Sequence, residues 1–148
     1  MSLNIRLLEQ SFDLVKSHGM DFVSSFYDNL FADYPEVRPL FTRAEPNEQK
    51  KKLLGSLALV VANLRNPTVL ADALRGLGAR HVSYGVSPAH YPIVGSTLLK
   101  TFAQFLGEDW TPEVRQAWID AYTAIVQLML EGTEKPAEVA QPRGPAVS

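Results

Sequence analysis

His81 closes a stripe of leucines. Leu70, Leu74, Leu77 and His81 fall at i, i+4, i+7 and i+11, which sets all four on one face of a helix. Burying an unpaired polar ring costs on the order of 1–3 kcal/mol, so an imidazole in that row needs a partner. A backbone carbonyl would supply one, and so would solvent at the helix end. The third possibility is a metal, because neutral imidazole is a common ligand for protein-bound iron, zinc and copper. Three more polar groups interrupt apolar faces elsewhere: Tyr27, Gln49 and Tyr91. Each alone is compatible with an ordinary core. With His81 they come from four separate segments, and together they suit a buried apolar slot with an axial ligand on one side and hydrogen-bond donors on the other. A cofactor slot is the natural place for such groups in a helical protein of this size.

Other patterns carry less. Gly76-Leu77-Gly78 is a fragment of a dinucleotide fingerprint, but no strand precedes it and the third glycine is missing. Lys50-Lys51-Lys52 reads as a solvated helix face. His18 falls at a helix end, where a cation suits the dipole, and His90 falls in a loop before Tyr91-Pro92. There is no serine nucleophile elbow, and the carboxylates do not recur at di-iron spacing.

These groups need helices to position them. Asn4 to His18 reads as the first, with Ile5, Leu8, Phe12 and Val15 inward and Gly19 as its stop. Residues 21–33 form the second, ended by Tyr34-Pro35, and a short turn, 35–41, leads into a polar loop. Asn47 caps a third helix that runs to about Leu64, with Leu53, Leu57, Val60 and Leu64 inward and Gln49 one turn before Leu53. Pro67 opens the helix that bears the His81 stripe. Gly76 and Gly78 each cost it about 1 kcal/mol relative to alanine, so it is expected to be irregular or short. After a loop over 85–92 come helices from Ile93 to Leu106, stopped by Gly107, and from Pro112, capped by Thr111. From Thr133 the chain turns proline-bearing and poor in large apolar groups, the composition of a disordered tail. The expected fold class is all-α, six to seven helices, with one domain over 1–132 and a tail over 133–148.

Composition agrees with that outline. The 148 residues are 46% hydrophobic and 20% charged, with a net charge of −2, an ordinary globular balance with no electrostatic footprint for nucleic acid. The absence of cysteine excludes disulfides, thiolate zinc sites, iron–sulfur clusters and thiol nucleophiles, and suits a reducing cytosol. No signal-peptide pattern opens the sequence, and no apolar run reaches the roughly 18 residues of a membrane span. A cytoplasmic protein that engages neither membrane nor nucleic acid is the expectation.

The residues FYDNLFADYPEVRPLF (26–41), ARHVSYGVSPAHYPIVG (79–95) and AWIDAY (117–122) give the chain its likeness to a known family. It resembles the single-domain bacterial globins related to Vitreoscilla haemoglobin and to the haem domain of flavohaemoglobins, over most of residues 5–130. The resemblance implies a three-over-three helical sandwich holding haem b, iron protoporphyrin IX. It places His81 as the proximal ligand to iron, Phe41 on the porphyrin, and Tyr27 as the distal tyrosine that donates to the bound gas. Leu53 then lies beside the gas, with Gln49 as the distal glutamine, and Leu77 lies under the ring. Lys52 and Arg80 become partners for the propionates. A glutamine does not replace a gas as the sixth ligand, so that position is implied to be open to O₂, NO and CO. Tyr91 and His90 match the segment that follows the proximal helix in flavohaemoglobins, where the tyrosine and a glutamate of the last helix support the proximal histidine. Here the glutamate's position falls on Thr133, with Glu131 and Glu134 nearby, so a strong electron push onto iron is not implied. The sequence also ends where a flavin and nicotinamide reductase domain would begin, so turnover as a nitric oxide dioxygenase would need an external reductase. Oxygen binding or scavenging as a monomer or homodimer is the leading expectation. A gas sensor, or a haem-free globin-like interaction module with a separate partner, is the alternative.

Overall fold

The computed structural model describes residues 3–41, 45–83 and 88–139, with side chains given for all of these except 82–83 and 133–139. Six α-helices account for most of them: α1 (Ile5–Lys16), α2 (Gly19–Asp33), α3 (Pro46–Ala62), α4 (Pro67–Ser83), α5 (His90–Leu106) and α6 (Pro112–Val139). Short 3-10 segments, Pro35–Phe41 and Gly107–Asp109, follow α2 and α5. Helix α4 packs against α6, α2 against α5 and α3, and α1 against α6 and α5, with α5 also meeting α6. Among the described residues no helix is long and apolar enough to cross a membrane.

Local chemistry explains most boundaries. The Asn4 side chain accepts from the Leu7 N–H at 3.3 Å and caps α1, and Thr111 Oγ1 accepts from the Val114 N–H at 3.2 Å to cap α6. Gly107 ends α5 at φ +53°, where a side chain would be strained. Some expected boundaries are corrected. Gly19 begins α2 instead of stopping α1, because α1 has already ended at Lys16, with the His18 N–H bonded to the Val15 carbonyl at 2.9 Å. The cap of α3 is Glu45, whose carboxylate accepts from the Asn47 and Glu48 N–H groups, with Pro46 in the first turn. Asn47 lies inside the helix. His90, Tyr91 and Pro92 form the first turn of α5 and not a loop, since a proline in a first turn forfeits no helical bond. Helix α6 continues past Gly132 to Val139, so the polar stretch expected to begin at Thr133 starts within it.

The core is built around α6. Trp118, 2% exposed, stacks on Phe102 at 4.3 Å between centroids, and Phe102 meets Phe22 at 4.8 Å. The Trp118 indole donates to Ser11 Oγ at 2.8 Å, and that hydroxyl donates to the Leu7 carbonyl, so a buried polar pair is satisfied across α1 and α6. Buried Thr97 and Thr101 return their hydroxyl protons to carbonyls four residues back.

The largest correction concerns α4. It is one continuous helix through both Gly76 and Gly78. A Cβ at Gly78 would lie 2.0 Å from the Met129 carbonyl oxygen, and one at Gly132 would lie 1.9 Å from that of Arg75. The two glycines bring α4 and α6 backbone to backbone. The packing gained at that crossing outweighs the roughly 1 kcal/mol that a glycine costs a helix. Arg75 straddles the same crossing, donating to Glu131 at 3.0 Å and to Asp72 at 3.4 Å.

Candidate functional site

Three elements bring polar and aromatic groups together on one wall. Tyr27 and Phe31, one turn apart on α2, have centroids 5.9 Å apart. Phe41, at the end of the 3-10 segment, meets Tyr27 edge-on at 5.6 Å and Phe31 at 5.5 Å. The Arg38 guanidinium lies 4.9 Å from the Phe31 ring centre, on its face. From the first turns of α3, Gln49 Nε2 donates to the Tyr27 hydroxyl at 3.2 Å, and Leu53 follows one turn later, half-buried. With its oxygen accepting from Gln49, the phenol keeps its own proton to donate. Burial pushes the Tyr27 hydroxyl above the ordinary tyrosine value, against the smaller opposing effect of Gln49, so this group is a neutral donor at any physiological pH.

His81 lies near the end of α4, half-buried. Its Nδ1 is 2.8 Å from the Leu77 carbonyl oxygen, four residues back. A carbonyl only accepts, so Nδ1 carries the proton and Nε2 carries the ring's lone pair. Burial lowers the imidazole pKa, the Leu77 bond opposes that, and nearby Arg80 adds to it. The ring is therefore a neutral imidazole of fixed tautomer, the form in which histidine binds a metal. One consequence is measurable. The unfolded chain titrates this group near pH 6.5 and the folded chain lower. Its contribution to stability is thus complete above about 6.5 and is lost as pH falls toward the folded value. The urea midpoint of the metal-free chain should drop more between pH 7.5 and 5.5 than that of His81→Leu. Equal drops would remove His81 from this role.

The remaining predicted residues are placed less uniformly. Lys52 and Arg80 are exposed and Leu77 is half-buried. His90 is the half-buried first residue of α5 and His18 is exposed. Tyr91 is buried in the first turn of α5, and its carbonyl accepts from the Tyr122 hydroxyl at 2.7 Å. That contact needs Gly95, where a Cβ would fall 2.6 Å from the Tyr122 ring. Burial raises the pKa of both tyrosines. Glu131 is engaged by Arg75, and the side chains of Thr133 and Glu134 lie outside the described residues. Phe31, Tyr122 and the glycines at 78, 95 and 132 were not singled out as site-forming by spacing. Only the i, i+4 relation of Phe31 to Tyr27 offered a signal for any of them.

The globin family model matches residues 24–129. The flavohemoprotein of Rhodopirellula baltica is 32% identical over 144 residues, covering 95% of this chain and 35% of the relative. That of Bacillus subtilis is 32% identical over 133 residues, covering 88% and 33%. The chain thus spans about a third of the length of the flavohemoproteins it matches. A bacterial globin from Campylobacter jejuni superposes with a TM-score of 0.79 at 29% identity, over 90% of this chain and 96% of that one. A candidate nitric oxide dioxygenase from Rhodothermus marinus, engineered as a carbene transferase, also gives 0.79, at 30% identity over 92% and 95%.

Proposed function

Because the chain belongs to the globin family, we propose that it holds haem b through His81 and binds O₂, NO or CO on the side walled by Tyr27 and Gln49. The observation that carries this proposal is the His81 Nδ1 contact with the Leu77 carbonyl, which sets the lone pair on Nε2, the nitrogen a porphyrin iron would take. The donor set fits: one neutral imidazole on an apolar stripe, and aromatic rings at Tyr27, Phe31 and Phe41 that pack edge-to-face into an apolar wall. Phe41 and Leu77 are the side chains assigned to the porphyrin faces, Leu53 to the space beside the gas, and the exposed Lys52 and Arg80 to the propionates. Tyr91 is assigned to the His81 side.

The haem iron, when bound, supplies the gas coordination. The chain's own residues supply selectivity. Gln49 orients the Tyr27 hydroxyl by donating to its oxygen, and the phenol proton then stabilises a gas that has drawn electron density onto itself. A hydrogen bond to a charged acceptor is worth about 1.5–3 kcal/mol, and 1.4 kcal/mol is tenfold in affinity. Tyr27→Phe should therefore release O₂ about ten- to a hundredfold faster in stopped flow. Release at the unaltered rate would show that Tyr27 does not face the gas.

A second function, conversion of NO and O₂ to nitrate, is favoured by the likeness to flavohemoproteins and to the Rhodothermus marinus protein. Its electrons would come from a reductase outside these 148 residues. Slow O₂ release suits this chemistry, and scavenging, better than bulk delivery. A haem-free or gas-sensing module working through a separate partner is the competing function. Ferric, ferrous and CO-bound absorption spectra test the proposal. A Soret band that shifts on reduction and again with CO is expected, and no band after haem reconstitution would leave the haem-free module standing.

A further inference from the structure

Backbone contact limits how near two helices can come, but it does not stop them parting. At the crossing of α4 and α6 the limit is set twice, by Gly78 against the Met129 carbonyl and by Gly132 against that of Arg75. The second contact shares its residue with a charged group. Arg75 Nε donates to Glu131 Oε1 at 3.0 Å, and Glu131 is the neighbour of Gly132. The Arg75 backbone thus seats Gly132 while its side chain holds the residue before it on α6.

Arg75 also has a carboxylate on its own helix. Its Nη1 lies 3.4 Å from Asp72, three residues back. The Asp72 side chain is 77% exposed, against 31% for Arg75 and 45% for Glu131. The bond between the helices is therefore both the shorter of the two and the less hydrated. An α-helix moves as a unit, because each N–H is bonded to the carbonyl four residues before it. His81 follows Gly78 by three residues and Arg75 by six, about 9 Å along the axis, and α4 runs unbroken between them. A displacement of α4 at Arg75 is delivered to the imidazole.

We propose that Arg75 is a positioning residue for His81: through Glu131 it holds α4 against α6 and so fixes where the imidazole stands. The glycines prevent closer approach and the ion pair opposes separation, so the place of α4 is bounded from both sides. What His81 holds rests on the haem-binding function proposed above; the latch between the helices does not.

Variants of the full, haem-loaded chain test this: Arg75→Met, Glu131→Gln, Arg75→Lys and, as the control within α4, Asp72→Asn. An ion pair of this exposure is worth at most about fivefold in an equilibrium. Haem loss to an excess of a haem-free acceptor protein should therefore quicken about two- to fivefold in Arg75→Met and Glu131→Gln. Their iron–histidine stretching band, read by resonance Raman in the ferrous, ligand-free form, should shift or broaden. Both readouts should stay at wild-type values in Asp72→Asn and return part of the way in Arg75→Lys. Salt at about 1 M, where the screening length is about 3 Å, should quicken haem loss in wild type and leave Glu131→Gln unchanged. Glu131→Gln keeps the shape of its side chain, so it reports on the charge alone should Arg75→Met fold poorly. A lower urea midpoint with unaltered haem loss and an unaltered band would make the pair a stabiliser of the fold only and overturn the proposal. Equal effects in Asp72→Asn would overturn it too. A wild-type chain with no iron–histidine band would overturn the haem function and this role with it. The urea double-mutant cycle of Arg75 and Glu131 in the haem-free chain separates that case from a latch that does not form.

Discussion

His81→Ala should leave a folded chain that no longer holds haem in its native ligation. The ring bonds to a helix carbonyl and is half-buried, so its removal costs stability on the scale of an ordinary partly buried side chain, about 1 kcal/mol. Loss of an outer hydrogen-bond partner of a metal ligand already lowers metal affinity by about 10–100-fold. Loss of the ligand itself should exceed that, and the Soret and CO difference bands should disappear or take the form of an iron without axial imidazole. Added free imidazole should restore part of the native spectrum, because the alanine leaves a space of the ring's shape. Circular dichroism separates the two effects: unchanged helicity with a lost Soret band assigns the residue to ligation. A wild-type spectrum in His81→Ala would move the ligand elsewhere, and the functional proposal with it.

The largest effect on stability is expected at Gly78. Alanine there would place its Cβ 2.0 Å from the Met129 carbonyl oxygen, and every near neighbour is α6 backbone, which has no rotamer to change. The helices must part. Overpacking typically costs 1–3 kcal/mol and occasionally more, and with backbone on both sides about 3 kcal/mol or more is expected, a large share of a typical 5–15 kcal/mol. Gly76, two residues earlier in the same helix, gives the contrast. Its Cβ would meet only the flexible Arg80 guanidinium at 3.5 Å. Gly76→Ala should therefore raise stability by about 0.5–1 kcal/mol through helix propensity. Urea midpoints of the two variants should move in opposite directions. Gly78→Ala should also weaken haem retention, since displacing α4 displaces His81. Equal, small effects at both positions would show that α4 and α6 do not meet at the glycines.

Sequence periodicity located the helices because burial of one face is a local property: an apolar residue every three or four positions marks the inward stripe whatever it packs against. The Leu70–His81 row, the ends at Tyr34-Pro35 and Gly107, and the Thr111 cap were legible for the same reason. Tyr27, Gln49, His81 and Tyr91 stood out as polar groups on apolar faces. Spacing alone did not say whether His81 met a carbonyl, water or a metal. Only the fold gave the ring its Leu77 partner and hence its tautomer.

Where one chain segment meets another, the sequence was silent. A glycine inside a helix reads as a weak point, and so Gly78 suggested an irregular α4. The opposing surface is the backbone of Met129, fifty-one residues further along, and no local pattern records that. Likewise Glu45 outcompetes Asn47 as the cap of α3 because Pro46 can begin the helix, and Tyr122 turns from core residue to partner of the Tyr91 carbonyl only across Gly95. By itself the sequence determined which residues face inward and which of them are polar. The tertiary structure decided what each inward group touches, because contact distances depend on how two helices cross, and that angle is written in no single stretch of chain.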